Sequence, residues 1–194
     1  MRIGVLALQG DVREHLRVLA DLGADAVRVR RPEELARVDG LVLPGGESSV
    51  IDKLARGFGL QQPIRDAVAA GLPVYGTCAG LILLADRITD GIPGQETFGG
   101  LDVTVQRNAF GGQVESFETD LDVPALGDPP VHAVFIRAPL VVESGPDVET
   151  LAALDDGRVV AVQQGPLLGT AFHPEVTTGE TRFHRRFLDL VRAA

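Results

Sequence analysis

Tryptophan is absent from this 194-residue chain, and cysteine, methionine, tyrosine, lysine and asparagine occur once each. With Cys78 as the lone cysteine no internal disulfide can form, so stability must come from burial and hydrogen bonding, and the reducing cytoplasm is the expected compartment. No apolar run approaches the roughly 18 to 20 residues that span a bilayer. The chain enters a strand-like run at Ile3 without a charged and apolar leader, so neither a membrane segment nor export is expected. Positive charge is scarce as well: 18 basic against 27 acidic residues leave a net charge of −9, which argues against a nucleic-acid partner, and no local basic patch offsets it. Arginine supplies every basic residue but Lys53, and Asn108 is the lone asparagine, a bias that fits either a GC-rich genome or selection for heat resistance. His15, His132, His173, His184 and the single cysteine lack the spacing of a metal site. No metal and no cofactor are expected, and with no phosphate-cradling loop that carries a lysine the chain offers no site for phosphate-substrate or Schiff-base chemistry.

What the chain has is 45% hydrophobic residues, enough to bury a sizeable core in one domain spanning residues 1–194. No repeat or low-complexity linker divides it; Gly91-Ile92-Pro93-Gly94 and Gly127-Asp128-Pro129-Pro130 read as surface turns. Ile3–Leu8, Ala26–Val29 and Gly40–Leu43 read as buried strands. Between the first two, a helix opens at Asp11 and Glu14, turns Val12, Leu16 and Leu19 to one face, and stops at Gly23. Gln61–Ala70 is a helix feeding a strand that ends at Cys78. Such alternation predicts an α/β fold of three layers: a mostly parallel central sheet, helices on both faces, and ligands at the carboxyl ends of the strands. In the second half, Leu101–Val105, Val131–Phe135, Val159–Gln163 and Leu167–Ala171 are separated by short turns, which predicts a partly antiparallel extension. A last helix from about Thr181 buries Phe183, Phe187, Leu190 and Val191.

Three segments carry chemistry. Gly76-Thr77-Cys78-Ala79-Gly80 follows the apolar run Leu72–Tyr75 and has the form of a nucleophile elbow, a tight strand-to-helix corner that small residues on either side permit. A lone cysteine is ordinarily a small buried apolar residue. Here, however, the helix begun by Leu81–Ala85 would aim its free N–H groups at the sulfur, favouring thiolate and offering an oxyanion donor at Ala79. Phe172-His173-Pro174-Glu175 supplies a base and an orienter, His173 and Glu175 sharing a face of an extended segment stiffened by Pro174. Leu41-Val42-Leu43-Pro44-Gly45-Gly46-Glu47-Ser48-Ser49 ends a strand in a glycine turn and starts a helix capped by Ser48 or Ser49, with the Gly46 N–H as a second oxyanion donor.

Together with Leu8-Gln9-Gly10, Arg107-Asn108-Ala109-Phe110-Gly111 and Phe135-Ile136-Arg137-Ala138-Pro139, these blocks resemble the triad-type (class I) glutamine amidotransferases, and within them the family of glutaminase subunits of pyridoxal 5′-phosphate synthase. The resemblance runs from the first strand to the last helix. It implies that L-glutamine is hydrolysed to glutamate and ammonia, with Cys78 as nucleophile, His173 as general base and acid, and Glu175 orienting His173. It further implies that Gly46, Glu47, Ser48, Arg107, Ile136 and Arg137 bind glutamine, and that Gln9 lies behind the oxyanion region at the contact with a synthase (lyase) subunit. That partner would form a hetero-oligomer with this chain and use the ammonia for vitamin B6 biosynthesis. Gly112 stands where the family commonly has arginine, and Ala171 where it often has serine; neither belongs to the triad. Two readings compete: a non-catalytic cysteine sensor, which would not need His173-Pro174-Glu175, and a stand-alone amidase, which would not need the Arg107–Gly111 block.

Overall fold

The structure, a computed structural model, describes residues 1–109 and 116–194. Strand β1 (Arg2–Leu6) leads through α1 (Val12–Asp21) to β2 (Asp25–Val29), and the short α2 (Pro32–Leu35) leads to β3 (Gly40–Leu43). Helices α3 (Ser48–Gly57) and α4 (Gln61–Ala69) precede β4 (Val74–Thr77), which turns at Cys78 into α5 (Ala79–Leu84). The second half is strand-rich: β5 (Ala85–Thr89), β6 (Leu101–Gln106), β7 (Ser116–Leu121), β8 (Val131–Ile136), β9 (Leu140–Ser144), β10 (Glu149–Ala153), β11 (Val159–Gln164) and β12 (Leu167–Thr170). The chain closes with α6 (Arg182–Ala193).

The main sheet runs β2-β1-β3-β4-β12-β11-β9-β6-β5, with β10 paired to β11. From β2 to β12 every pairing is parallel; the extension beyond β12 is antiparallel until the parallel β5–β6 edge. The expected α/β architecture with a partly antiparallel extension is therefore present. Val131–Phe135 departs from expectation in one respect: β8 leaves the main sheet and forms a separate antiparallel hairpin with β7. Phe117 stacks on Phe135 across that hairpin, the rings 4.5 Å apart and nearly parallel, and Phe135 continues through Phe172 to Phe183 of α6. This aromatic row anchors the hairpin to the core by burial rather than by sheet hydrogen bonds.

Alternation along β4 sets the layers. Tyr75 and Thr77 face α1 and α6, where Tyr75 meets His15, His184 and Phe187 edge-on or tilted. Val74 and Gly76 face the other side, where the backbone of α5 lies so near that a Cβ on Gly76 would come within 2.5 Å of Gly80. Helix α3 packs outside α5. Helix α1 buries His15, Val18 and Leu19, while Val12 and Leu16 pack against the core partly covered, so the inward stripe is wider than the one the apolar spacing predicts and includes a histidine. On α6 Phe183, His184, Phe187 and Leu188 are buried and Leu190 and Val191 pack at the margin. Among the described residues no helix is long and apolar enough to cross a membrane.

Candidate active site

Parallel strands β4 and β12 end side by side, and the Cys78 N–H donates to the Thr170 carbonyl at 2.8 Å. Cys78 is buried and adopts φ +49°, ψ −102°, a left-handed corner that costs a residue with a Cβ of order 1–3 kcal/mol. The corner closes because the flanking glycines carry no side chain: a Cβ on Gly80 would overlap the Leu43 carbonyl oxygen. Helix α5, begun at Ala79, starts directly behind the sulfur.

Beyond β12 the chain carries His173, whose N–H donates to the Val134 carbonyl of β8. Residues Pro174–Val176 form a 3-10 turn, not the extended segment the sequence pattern suggests. The tighter turn folds Glu175 back so that its Oε1 accepts from His173 Nδ1 at 2.8 Å. His173 lies against the backbone of Gly45, where no side chain fits. Asp11, at the start of α1, brings a second carboxylate oxygen to 3.4 Å from the same Nδ1, a contact without any local signature in the chain.

The Gly45–Ser49 segment is held by its own polar side chains. The Glu47 N–H donates to Gln9 Oε1 at 2.8 Å, and the Asp11 N–H to the Gly45 carbonyl at 3.1 Å, so the loop after β1 lies directly on the glycine turn. Glu47, not Ser48 or Ser49, caps α3: its Oε1 accepts from the N–H and Oγ of Ser49. A carboxylate reaches back over the turn more readily than either hydroxyl, and it also receives Arg107 at 2.8 Å. Arg107 is buried and donates through its other terminal nitrogen to Gln95 Oε1 at 2.8 Å, while Gln95 Nε2 donates to Ser48 Oγ at 2.9 Å. Gln95 thus links two of the residues expected to bind glutamine, although it sits in a loop with no motif of its own. Ile136 and Arg137, at the end of β8, are exposed, Arg137 with φ +46°; they share with His173 the neighbourhood of the Val134 carbonyl but are not joined to the Arg107–Glu47 network. Phe110, Gly111 and Gly112 of the Arg107–Gly112 stretch lie outside the described residues; Ala171 is buried, its N–H on the Val160 carbonyl.

Electrostatics favour charge separation here. Burial opposes protonation of His173, but hydrogen bonds to Asp11, Cys78 and Glu175 outweigh it and the imidazole is pushed up to about 12. Burial would raise Glu175, yet the nearby imidazoles of His15 and His173 hold its carboxyl well below the usual carboxylate range. Desolvation, aided by His15, drives His184 down to about 3, so it stays neutral. The four histidines are less scattered than their spacing suggests: His15, His173 and His184 converge around Glu175, and Asp11, His173 and Glu175 bring ligand-type atoms within 4.8 Å of one another. His132 stands apart on the exposed face of the β7–β8 hairpin, between Glu118 and Asp120.

Residues 5–193 match the model of the SNO glutamine amidotransferase family. A protein of Leifsonia xyli subsp. xyli named pyridoxal 5′-phosphate synthase subunit PdxT is 70% identical over 187 residues, covering 96% of this chain and 94% of its own. Its namesake in Clavibacter michiganensis subsp. michiganensis is 67% identical over 192 residues, covering 99% and 91%. A crystal structure described as a glutamine amidotransferase superimposes with a TM-score of 0.90 at 50% identity, covering 98% of both chains.

Proposed function

Since the chain belongs to the SNO glutamine amidotransferase family, we propose that it is the glutaminase subunit of a pyridoxal 5′-phosphate synthase, a single-domain cytoplasmic enzyme that hydrolyses L-glutamine and passes ammonia to a separate synthase subunit in a hetero-oligomer. The observation that carries the chemistry is the convergence of Cys78, His173 and Glu175 from the ends of two adjacent parallel strands, with a 2.8 Å bond between imidazole and carboxylate.

In this reading the Cys78 thiolate attacks the side-chain carbonyl carbon of glutamine. The carbonyl oxygen takes the negative charge and faces the N–H groups of Gly46 and Ala79. The His173 imidazolium gives its proton to the amide nitrogen, the C–N bond breaks and ammonia leaves. A water molecule then loses a proton to His173 and attacks the thioester, and breakage of the C–S bond releases glutamate and restores the thiolate. Glu175 keeps the imidazole oriented and its charged form stabilised throughout. Arg107 receives the α-carboxylate of glutamine beside Glu47 and Ser48, with Ile136 and Arg137 on the facing rim, while Gln9 braces the oxyanion turn from behind.

The test is glutamate formation from L-glutamine by the purified chain, alone and with the synthase subunit of the same organism, with Cys78→Ala as the blank. Activity that rises with the partner and vanishes in Cys78→Ala is the expected result. Hydrolysis indifferent to the partner removes the vitamin B6 assignment, and activity surviving in Cys78→Ala removes the triad.

A further inference from the structure

Behind the Glu175 carboxylate lies a second, wholly buried polar chain that the reaction scheme leaves unused. His15 of α1 is 0% exposed, as is His184 of α6. His15 Nδ1 lies 3.0 Å from His184 Nε2. On the opposite edge of the same ring, Nε2 lies 3.1 Å from Thr77 Oγ1 and 3.5 Å from Glu175 Oε1, and Thr77 Oγ1 is itself 3.5 Å from Glu175 Oε1. Burying two imidazoles in an apolar layer against Tyr75 costs free energy that any aliphatic pair of similar size would avoid. The cost is compensated only if the polar atoms are used.

The protons can be ordered along this chain. His184 is neutral, its Nδ1 has no partner among the described residues, and one proton lies between its Nε2 and His15 Nδ1, so the other edge of His15 presents Nε2–H. That proton goes to Thr77 Oγ1 and Glu175 Oε1, and the Thr77 hydroxyl in turn points at Glu175. From the other side His173 Nδ1–H points at the same oxygen. Three donors, His15 Nε2–H, the Thr77 hydroxyl and His173 Nδ1–H, therefore meet at one carboxylate oxygen, while Glu175 Oε2 has no partner among the described residues. With a single donor the carboxylate could turn about its χ3; donors reaching Oε1 from both His173 and the His15–Thr77 side restrict that turn and keep the group ionised.

We propose that His15 is a positioning residue for the glutaminase reaction: through its Nε2, and with His184 and Thr77 fixing its orientation, it locks the Glu175 carboxylate in the geometry and charge that hold His173 for catalysis. The inference rests on the triad reading given above. The titratable groups facing this cluster are Tyr75 from β4, His184 from α6, His173 from the turn after β12, and, through His173, Asp11 and Cys78; Glu180 acts on Tyr75 from farther off.

Two substitutions separate positioning from packing. Glutamine can carry its Nε2 to the place of the histidine Nε2, whereas asparagine reaches only the Nδ1 side toward His184. In the complex with the synthase subunit, His15→Asn should lower glutaminase kcat about tenfold or more at unchanged KM, and raise the acid limb of the kcat/KM profile by a pH unit or more, because Glu175 then protonates more readily. His15→Gln should return most of the rate and the original limb. A His15→Asn enzyme with wild-type kcat and profile overturns the proposal, as does a loss of rate with an unmoved acid limb that glutamine does not repair. Should neither variant fold, Thr77→Val, which keeps shape but deletes the hydroxyl, carries the same test: a raised acid limb supports the lock and an unmoved one overturns it. Cys78→Ala, measured alongside, reports on the triad itself, so failure of that reading is distinguishable from failure of this one.

Discussion

Gln95 offers the sharpest handle on the substrate pocket. Its carboxamide accepts from the buried Arg107 guanidinium at 2.8 Å and donates to Ser48 Oγ at 2.9 Å, so one side chain sets the angle of the cation and of the hydroxyl that the proposal assigns to glutamine. Replacing it by alanine leaves Arg107 with Glu47 as its remaining charged partner, itself 45% exposed at the side chain and able to move. A hydrogen bond to a charged group is worth about 1.5–3 kcal/mol. If the lower value is lost from alignment of the guanidinium, KM for glutamine rises roughly tenfold, since each 1.4 kcal/mol is a factor of ten. Because the contact is made equally in ground and transition states, kcat should change by less than about threefold. Gln95→Glu isolates the charge effect: it keeps a bond to Arg107 but sets a second carboxylate on the cation meant for the substrate's carboxylate, so KM should rise at least as far although the fold is no weaker. Steady-state glutaminase kinetics of the complex with thermal melts of the free subunit decide it. Wild-type KM in both variants would refute the assignment and leave Arg107 as a brace for the loop around Gln95.

Further outcomes follow from the same contacts. Gly80→Ala drives a methyl into the Leu43 carbonyl, which should cost about 1–3 kcal/mol by urea melt and abolish glutaminase activity by opening the Cys78 corner. Phe187→Ala empties a fully buried ring site against Tyr75, lowering stability by about 3–5 kcal/mol while activity per folded molecule is retained. Glu175 has a folded pKa depressed below its ordinary 4.5, so its contribution to stability is present above pH 4.5 and is lost as the pH falls through its folded value; Glu175→Gln should flatten that acid limb of a urea-midpoint profile, and an unchanged limb would place the acid sensitivity elsewhere. His173 has the opposite sign: raised to about 12, it stabilises fully below its ordinary 6.5 and the contribution is lost as the pH rises toward 12, a loss that His173→Gln should remove.

The parts of the fold that were legible are those dictated by nearest neighbours. Apolar runs gave β1, β3 and β4 within two residues at each end, and the glycines around Cys78 announced a corner too tight for side chains. The β7–β8 hairpin was half visible: β8 read as a strand, but its partner Ser116–Leu121 sets exposed Ser116, Glu118 and Asp120 against only two apolar residues, Phe117 and Leu121, too few to stand out as a strand. On α1 the apolar spacing showed Val12, Leu16 and Leu19 on one face, which does pack on the core, but not that His15 is buried with them. His15 is buried among partners remote in sequence, Thr77, Glu175 and His184, and no local pattern encodes that. Asp11 and Gln95 escaped for the same reason, since their partners are remote in sequence. The turn at Pro174 shows a subtler gap. The sequence identified which two residues should meet, His173 and Glu175, while the 3-10 geometry that brings them together depends on packing against β8.

The loop that follows β1 is three residues long in its working part, and every one of them lies against the glycine turn or the base. Gln9 holds the Glu47 N–H, Gly10 seats against the Gly45 carbonyl, and Asp11 reaches both that carbonyl and the base. The ties of Gln9 and Asp11 are non-covalent and lie between 2.8 and 3.4 Å, so the loop joins two parts of the apparatus that are far apart in sequence. A substitution in this loop therefore touches at once the turn that faces the nucleophile and the imidazole opposite.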